Sequence, residues 1–353
     1  MAPTLLDPIT IGELHLPHRM VMSPLTRNRS TMPGRVPNAL MREYYVQRAS
    51  AAMILTEATS VSSQGVGYPA TPGIWSDEQV EGWRSIVEAV HHAGGRILLQ
   101  LWHVGRISDP SYHGGEPPVA PSAIAPSGNP SLLRPKRPYA VPRALATGEI
   151  AGVVESYRLG AANAKRAGFD GVEIHGANGY LLDQFLQDRT NQRTDQYGGS
   201  IENRARLMLE VADAVVSVWG PGRVGMHLAP RCDAHDMGDS NPPATFGHVV
   251  RELSKRKLAF IMARESATGT PRIGPELRRQ FSGAWVANEG FTPETGAMGL
   301  EEGVADAVSF GKLFISNPDL PERVRRGLPL APWNDRTFYA EGPVGYTDYP
   351  RAT

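Results

Sequence analysis

The stretch Glu149-Ile-Ala-Gly-Val-Val-Glu-Ser-Tyr-Arg-Leu-Gly-Ala-Ala-Asn-Ala-Lys-Arg-Ala167, followed by Gly168 and then by Gly171-Val-Glu-Ile-His175, decides how the chain is read. Its first part is amphipathic at helical spacing. Gly168 stands where a glycine C-cap ends such a helix. The second part is apolar, strand-sized and not strictly alternating, which suits a parallel strand covered on both faces. A helix, a glycine stop and a buried strand together make half of a βα repeat.

The same unit recurs outward in both directions. Eight strand-like segments stand at residues 20–23, 52–57, 96–102, 171–175, 224–228, 259–263, 284–287 and 307–310. Between them the amphipathic patterns are clearest at 77–93, 149–167 and 201–218, followed by Gly94-Gly95, Gly168 and Gly220. Asp77 and Ser200 occupy the expected N-cap positions. Eight strands alternating with helices predict an α/β fold, a (β/α)8 TIM barrel. A doubly wound sheet is the competing topology, but no G-x-G-x-x-G turn follows the first strand. Ile9-Thr-Ile-Gly-Glu-Leu-His-Leu16 reads as an N-terminal hairpin capping the barrel bottom. Residues 104–146, with nine prolines, form an insertion after the third strand. An insertion there lies on the face that carries chemistry, so a lid or wall over the site is expected. Residues 1–353 are read as one domain.

Composition removes several classes. Balanced charge, 36 basic against 36 acidic side chains, takes away the simplest electrostatic case for a nucleic-acid or anionic-membrane partner. The single Cys232 excludes an internal disulfide, a four-cysteine zinc site and a cysteine-ligated iron–sulfur cluster. The apolar runs are strand-sized, far short of a membrane span, and the first residues lack a secretory pattern. A cytoplasmic globular protein is expected.

In a barrel the reactive groups collect at the C-terminal strand ends. There Gly290, Gly311 and Lys312, after the seventh and eighth strands, suit a phosphate site, though ordinary turns and a solvated lysine fit equally well. Past the fourth strand, His175 and Asn178 stand three apart and suit two donors aimed at a carbonyl or nitro oxygen gaining negative charge. Tyr180 follows as a proton donor. A packed histidine, a turn asparagine and a core tyrosine remain the plainer reading of those residues. None of this specifies hydride chemistry.

A wider pattern does. His175-Gly-Ala-Asn-Gly-Tyr-Leu-Leu-Asp-Gln-Phe185 and Asn191-Gln-Arg-Thr-Asp-Gln-Tyr-Gly-Gly-Ser-Ile-Glu-Asn-Arg204 strongly resemble the Old Yellow Enzyme family. So do Met22-Ser-Pro-Leu-Thr-Arg27, Gln100-Leu-Trp-His-Val-Gly-Arg106, Ser316-Asn-Pro-Asp-Leu320 and Gly345-Tyr-Thr-Asp-Tyr-Pro350, in order over nearly the whole chain. The resemblance implies an FMN-dependent ene-reductase on a (β/α)8 barrel, with non-covalent FMN and NADPH or NADH as co-substrate. It implies that Pro24 and Thr26 contact the isoalloxazine, and that Ala58 and Gln100 line its pyrimidine edge. Gly290 with the backbone of Asn288 and Glu289, and Gly311 with Lys312, would hold the phosphate. His175 and Asn178 would bind the substrate oxygen, Tyr180 would protonate carbon, and Tyr68, Trp102 and Tyr339 would shape the pocket. The implied reaction is ping-pong hydride transfer through flavin N5. Its substrates would be enones, enals, maleimides, nitroalkenes or nitrate esters, and the protein a monomer or homodimer.

Two departures stand out. His227 occupies the position of the family's usual arginine near flavin N1, so either a His227 that is cationic when the flavin is reduced, or Arg231, is expected to supply the charge. A neutral His227 donating to the flavin C2 carbonyl is the alternative. Residues 262–279, with Ala263-Arg-Glu-Ser266, replace an expected apolar wall. Cys232-Asp-Ala-His-Asp236 lacks a second ligand cluster, and no metal is expected. Two other classes compete: a flavin-free barrel lyase or aldolase acting on a phosphorylated substrate, and a catalytically idle flavin-binding scaffold. The lyase lacks a candidate Schiff-base lysine apart from Lys312.

Overall fold

The structure, a computed structural model, describes residues 2–266 and 271–352. Part of the atypical stretch 262–279, namely 267–270, therefore lies outside the described residues. The barrel strands are β1 Met20–Met22, β2 Ile54–Leu55, β3 Ile97–Trp102, β4 Gly171–His175, β5 Val224–Leu228, β6 Phe260–Arg264, β7 Ala284–Asn288 and β8 Ala307–Phe310. Each pairs in parallel with the next. The ring closes where β8 pairs with β1 from Val308↔Met20 to Phe310↔Met22.

The strands expected at 171–175, 224–228 and 307–310 have those limits. The second differs: it stops at Leu55 and resumes as Thr59–Ser60, which pairs with the far end of β3. The Thr56 N–H still donates to the Leu98 carbonyl, and beyond it side chains take over the ladder. The Glu57 N–H donates to the Tyr45 hydroxyl at 2.9 Å, and the Thr59 hydroxyl donates to the Glu57 carbonyl at 2.9 Å.

The helices follow the expected pattern, with Asp77–His92, Thr147–Arg166 and Ile201–Trp219 the longest. One cap moves. Asp77 is the first helical residue, and Ser76, in extended conformation, is the cap: its hydroxyl accepts from the Gln79 N–H while the Gln79 side chain accepts from the Ser76 N–H. That reciprocal pair satisfies two otherwise orphaned donors, which an aspartate one residue later does not match. Ser200 caps its helix as expected.

The N-terminal hairpin, Ile9–Ile11 paired with Leu14–Leu16, seals the lower end. Its Ile11, Leu14 and Leu16 join Val21, Leu98, Phe260, Met262, Val286 and Ala307 in one buried cluster, and the Glu13 N–H donates to the Gly222 carbonyl just before β5. Phe260 lies against Gly225 so closely that a Cβ there would stand 2.1 Å from the ring. Only glycine admits the ring at that height.

At the upper rim, buried arginines clamp the C-terminal segment onto the β1 loop. Arg27 donates to the carbonyls of Phe338 and Gly345, and Arg48 to that of Tyr346 as well as to those of Phe314 and Ile315 after β8. The Tyr346 ring stacks on Tyr44 at 4.1 Å, with the Arg27 guanidinium near both rings. Two of the family-like motifs are thus partners of each other. Residues 104–146 connect β3 to Thr147–Arg166 by an irregular path, with Val119–Ala120 pairing Arg143–Ala144.

Phe260→Ala empties the barrel centre, since Gly225 offers no side chain to fill it. The expected loss is about 3–5 kcal/mol in unfolding free energy. Urea denaturation measures it, and a loss under about 1 kcal/mol would show that the ring is no keystone.

Candidate active site

A cavity of about 810 Å3 opens at the C-terminal strand ends, a size usual for ligand sites. Loops after β1, β2, β4, β7 and β8 line it with His227 of β5 and Arg264 of β6, together with Leu132 of the insertion and Phe338 and Tyr339 of the C-terminal segment. Most sequence-expected site residues meet there: Pro24, Thr26, Tyr68, Asn178, Tyr180, His227, Asn288, Glu289, Gly290, Gly311, Lys312 and Tyr339. Ala58, Gln100, Trp102 and His175 do not line it. They are buried immediately behind, in contact with residues that do.

Three layers of this wall carry different chemistry. In the lowest, β4 and β5 set His175 level with His227, with ring centroids 5.0 Å apart. Gln100 on β3 donates to Glu173 at 2.7 Å and to His227 Nδ1 at 3.3 Å. That bond makes Nδ1 the acceptor, so the imidazole proton sits on Nε2, which has no partner in the described structure. Burial pushes the His227 pKa well below the ordinary histidine range, and the charges of His175 and Arg264 push it the same way. His227 is therefore a neutral N–H donor in this geometry. Burial also raises the Glu173 carboxyl to about 8, against the opposing hydrogen bond from Gln100.

Arg231, the other candidate for that charge, is not among the residues that line the cavity. Its guanidinium lies 3.7 Å from Glu265, off the cavity wall. The cations that line the cavity among the described residues are Arg27, Arg264 and Lys312. Arg264 is the residue the sequence reading missed. It ends β6, where alternation turns Phe260, Met262 and Arg264 toward the barrel axis. The signal was the polar run Ala263-Arg-Glu-Ser266, but nothing in one strand reveals which alternate side chains face inward.

The phosphate-type corner lies at β7 and β8. Asn288 donates to the Ser23 and Ser309 hydroxyls, binding the ends of β1, β7 and β8 together. Gly290 has φ +77°, with open space where a Cβ would point. Lys312 lies 5.5 Å from the Trp333 ring. Glu289, in contrast, turns its carboxylate to Arg264 at 2.8 Å.

The third region is aromatic. Tyr68 and Trp102 stack at 5.5 Å, and Tyr180 stands edge-on to Trp102 at 5.0 Å. The Tyr68 and Tyr180 hydroxyls are 3.0 Å apart. His175 adjoins Tyr180 with centroids 5.1 Å apart, and its Nδ1 is buried without a partner. No three His, Cys, Asp or Glu side chains converge as metal ligands among the described residues.

This donor set fits FMN. An unpartnered Nε2–H on His227 matches a ring carbonyl, open backbone at Gly290 beside Lys312 matches a phosphate, and the aromatic wall matches a flat ring with a substrate over it. Fold and site together define a flavin-holding barrel oxidoreductase.

Comparison with known proteins agrees. The sequence profile of the NADH:flavin oxidoreductase / NADH oxidase family matches residues 4–331. The chain is 45% identical over 353 residues to putative 12-oxophytodienoate reductase 5 of Oryza sativa subsp. japonica, covering 96% of this chain and 92% of that one. It is 42% identical to 12-oxophytodienoate reductase 2 of Arabidopsis thaliana, covering 98% and 95%. Among solved structures, an old yellow enzyme homologue from Zymomonas mobilis superposes with TM-score 0.96 at 45% identity, covering 99% of each chain. Morphinone reductase in complex with tetrahydroNAD gives 0.96 at 47%, covering 99% and 98%. The chain belongs to the NADH:flavin oxidoreductase / NADH oxidase family and is of the Old Yellow Enzyme type. It is an FMN-dependent oxidoreductase that reduces activated C=C bonds with NAD(P)H, and the flavin-free lyase reading is not favoured.

Because His227 is a neutral donor here, His227→Gln keeps an N–H and should hold FMN within about threefold of the wild-type dissociation constant. His227→Leu should weaken it about tenfold. Fluorescence of released FMN measures both, and a loss with Gln as large as with Leu would favour a cationic histidine.

Proposed function

We propose that His175 and Asn178 receive the activating oxygen of an unsaturated substrate and that Tyr180 delivers a proton to its α-carbon. The observation behind this is that Asn178, Tyr180 and Tyr68 line one wall of the cavity, with His175 and Trp102 packed against Tyr180 directly behind it. Pro24, Thr26, Ala58, Gln100 and His227 would border the ring system, and Gly290, Gly311 and Lys312 the phosphate. FMN, when bound, supplies the two-electron carrier between NAD(P)H and the alkene.

The protein groups do the rest. Burial, and after it the charge of Arg264, push the His175 pKa down to about 3, so the imidazole is neutral at pH 7 and offers one N–H. Two neutral donors held in a dry wall bind an oxygen more strongly as it becomes negative, which favours the transition state over the ground state. Burial raises the Tyr180 pKa far above that of a free phenol, with the Tyr68 hydrogen bond pulling the other way. Tyr180 therefore stays protonated and ready to donate. Its partner Tyr68 is also held protonated by burial, so the pair offers a path for replacing the proton.

An aromatic pocket with a donor pair suits small α,β-unsaturated ketones, aldehydes, maleimides, nitroalkenes and nitrate esters. We assign residues 1–353 to one FMN-binding barrel domain with 104–146 as its wall. The enzyme works in the cytoplasm, as a monomer or homodimer. No helix among the described residues is long and apolar enough to cross a membrane.

Tyr180→Phe should slow alkene reduction by about 10^2-fold or more while flavin reduction by NAD(P)H stays within about twofold. Stopped-flow measurement of the two half-reactions separates them, and equal losses in both would remove Tyr180 from the proton-donor role. The pH profile follows from the two shifts. His175, with its pKa lowered, takes a proton only near pH 3, and Tyr180, with its pKa raised, loses one only in strong base. The alkene half-reaction should be flat from about pH 5 to about pH 7, below the Glu173 carboxyl at about 8. A limb near the free-histidine pKa of about 6.5 would contradict the neutral donor pair.

A further inference from the structure

The Asn178 amide can show the cavity either its oxygen or its nitrogen, and only the nitrogen serves a substrate oxygen. Its backbone is already held. Asn178 sits at φ +59°, a region asparagine tolerates, and its carbonyl meets His235 Nδ1 at 2.8 Å. What remains is the side chain. Arg264 Nη1 donates to Asn178 Oδ1 at 2.8 Å. Guanidinium has donors and no acceptor, so it holds the oxygen toward itself and leaves Nδ2 to face away.

Arg264 is in turn held from the other side. Its Nη2 donates to Glu289 Oε1 at 2.8 Å, and Nη1 also lies 3.6 Å from Cys232 Sγ. The residue therefore bridges the loop after β4, which carries the oxygen-binding pair, and the loop after β7, which carries the phosphate corner. Lys312 and Arg27, the other lining cations, have their own partners at Trp333 and at the carbonyls of Phe338 and Gly345.

We propose that Arg264 is a positioning residue that orients and polarises the Asn178 amide, so that Nδ2–H faces the substrate oxygen. This rests on the reading of Asn178 as an oxygen-binding donor. A charge-assisted bond to Oδ1 draws electron density from the amide nitrogen and makes its N–H a stronger donor. The effect is largest when the substrate oxygen is most negative, so it falls on the rate of the alkene half-reaction more than on binding.

The test is a double-mutant cycle in FMN-loaded enzyme with 2-cyclohexenone. It reads the alkene half-reaction by stopped flow and ligand affinity by titration of the flavin absorption spectrum. Asn178→Ala is expected to slow the half-reaction about 10^2-fold. Arg264→Met is expected to slow it about tenfold, with affinity changed less than the rate, and Arg264→Lys, which keeps a donor, to recover most of that loss. In the Asn178→Ala background Arg264→Met is expected to cost nothing further. Where Arg264→Met fails to retain FMN, Arg264→Gln, too short to reach Oδ1, replaces it. If Asn178→Ala is harmless, the oxygen-binding reading itself fails. If Asn178→Ala is harmful but Arg264→Met is not, only the positioning role falls. An equal loss from Arg264→Met in both backgrounds would overturn the proposal by showing that the charge acts without Asn178.

Discussion

Closure of the strand ring between β8 and β1 is the constraint from which the rest follows. Once eight parallel strands close, every second side chain points to a shared axis, and all the C-terminal ends share one rim. The lower interior is then filled by Phe260 over Gly225 and by the hairpin's Ile11, Leu14 and Leu16. The upper interior is left for polar side chains and a cavity. The same alternation that buries Phe260 and Met262 carries Arg264 to the rim, so packing and chemistry are successive positions of one strand.

Several groups at the strand ends and in the wall behind the cavity sit under constraint. Asn178 and Glu289 hold positive φ without being glycine, at +59° and +93°. His175 Nδ1, His227 Nε2 and Glu173 Oε1 are buried without partners. Groups of this kind cost stability, and a ligand beside them completes the hydrogen bonding. Buried arginines nearby pair most of their donors, although Arg27 Nη1 is left unpartnered. Arg27 and Arg48 spend their donors on backbone carbonyls of distant segments and hold the cavity wall as a unit, which keeps the C-terminal segment beside the β1 loop.

Legibility in the sequence followed the range of the interactions involved. Gly171–His175, Val224–Leu228 and Ala307–Phe310 were readable because a doubly covered strand bounded by turn residues is a local pattern. The break in the second strand was not, because it depends on a hydroxyl from Tyr45, which no pattern within residues 52–57 reveals. The cap at Ser76 rather than Asp77 turned on a choice between adjacent residues that both have capping side chains. In the site, motif resemblance located His175, Asn178 and Tyr180. It did not show that Tyr68 would meet Tyr180, or that Trp102 and His175 would lie behind the cavity wall.

By itself the sequence determined the number and order of the βα units, the absence of cysteine-ligated clusters, and the residue types offered at each strand end. Those properties are written in spacing and composition, and they survive without knowledge of any partner. The tertiary structure alone decided which rim groups meet: that His227 is a neutral donor bonded to Gln100, that Arg231 turns aside to Glu265, and that Arg264 joins Asn178 to Glu289. Each of those pairings spans two or more strands, and their register around the ring sets the height at which each side chain arrives. A shift of one residue in any strand would exchange its inward and outward faces, so no reading of a single segment could have supplied the answer.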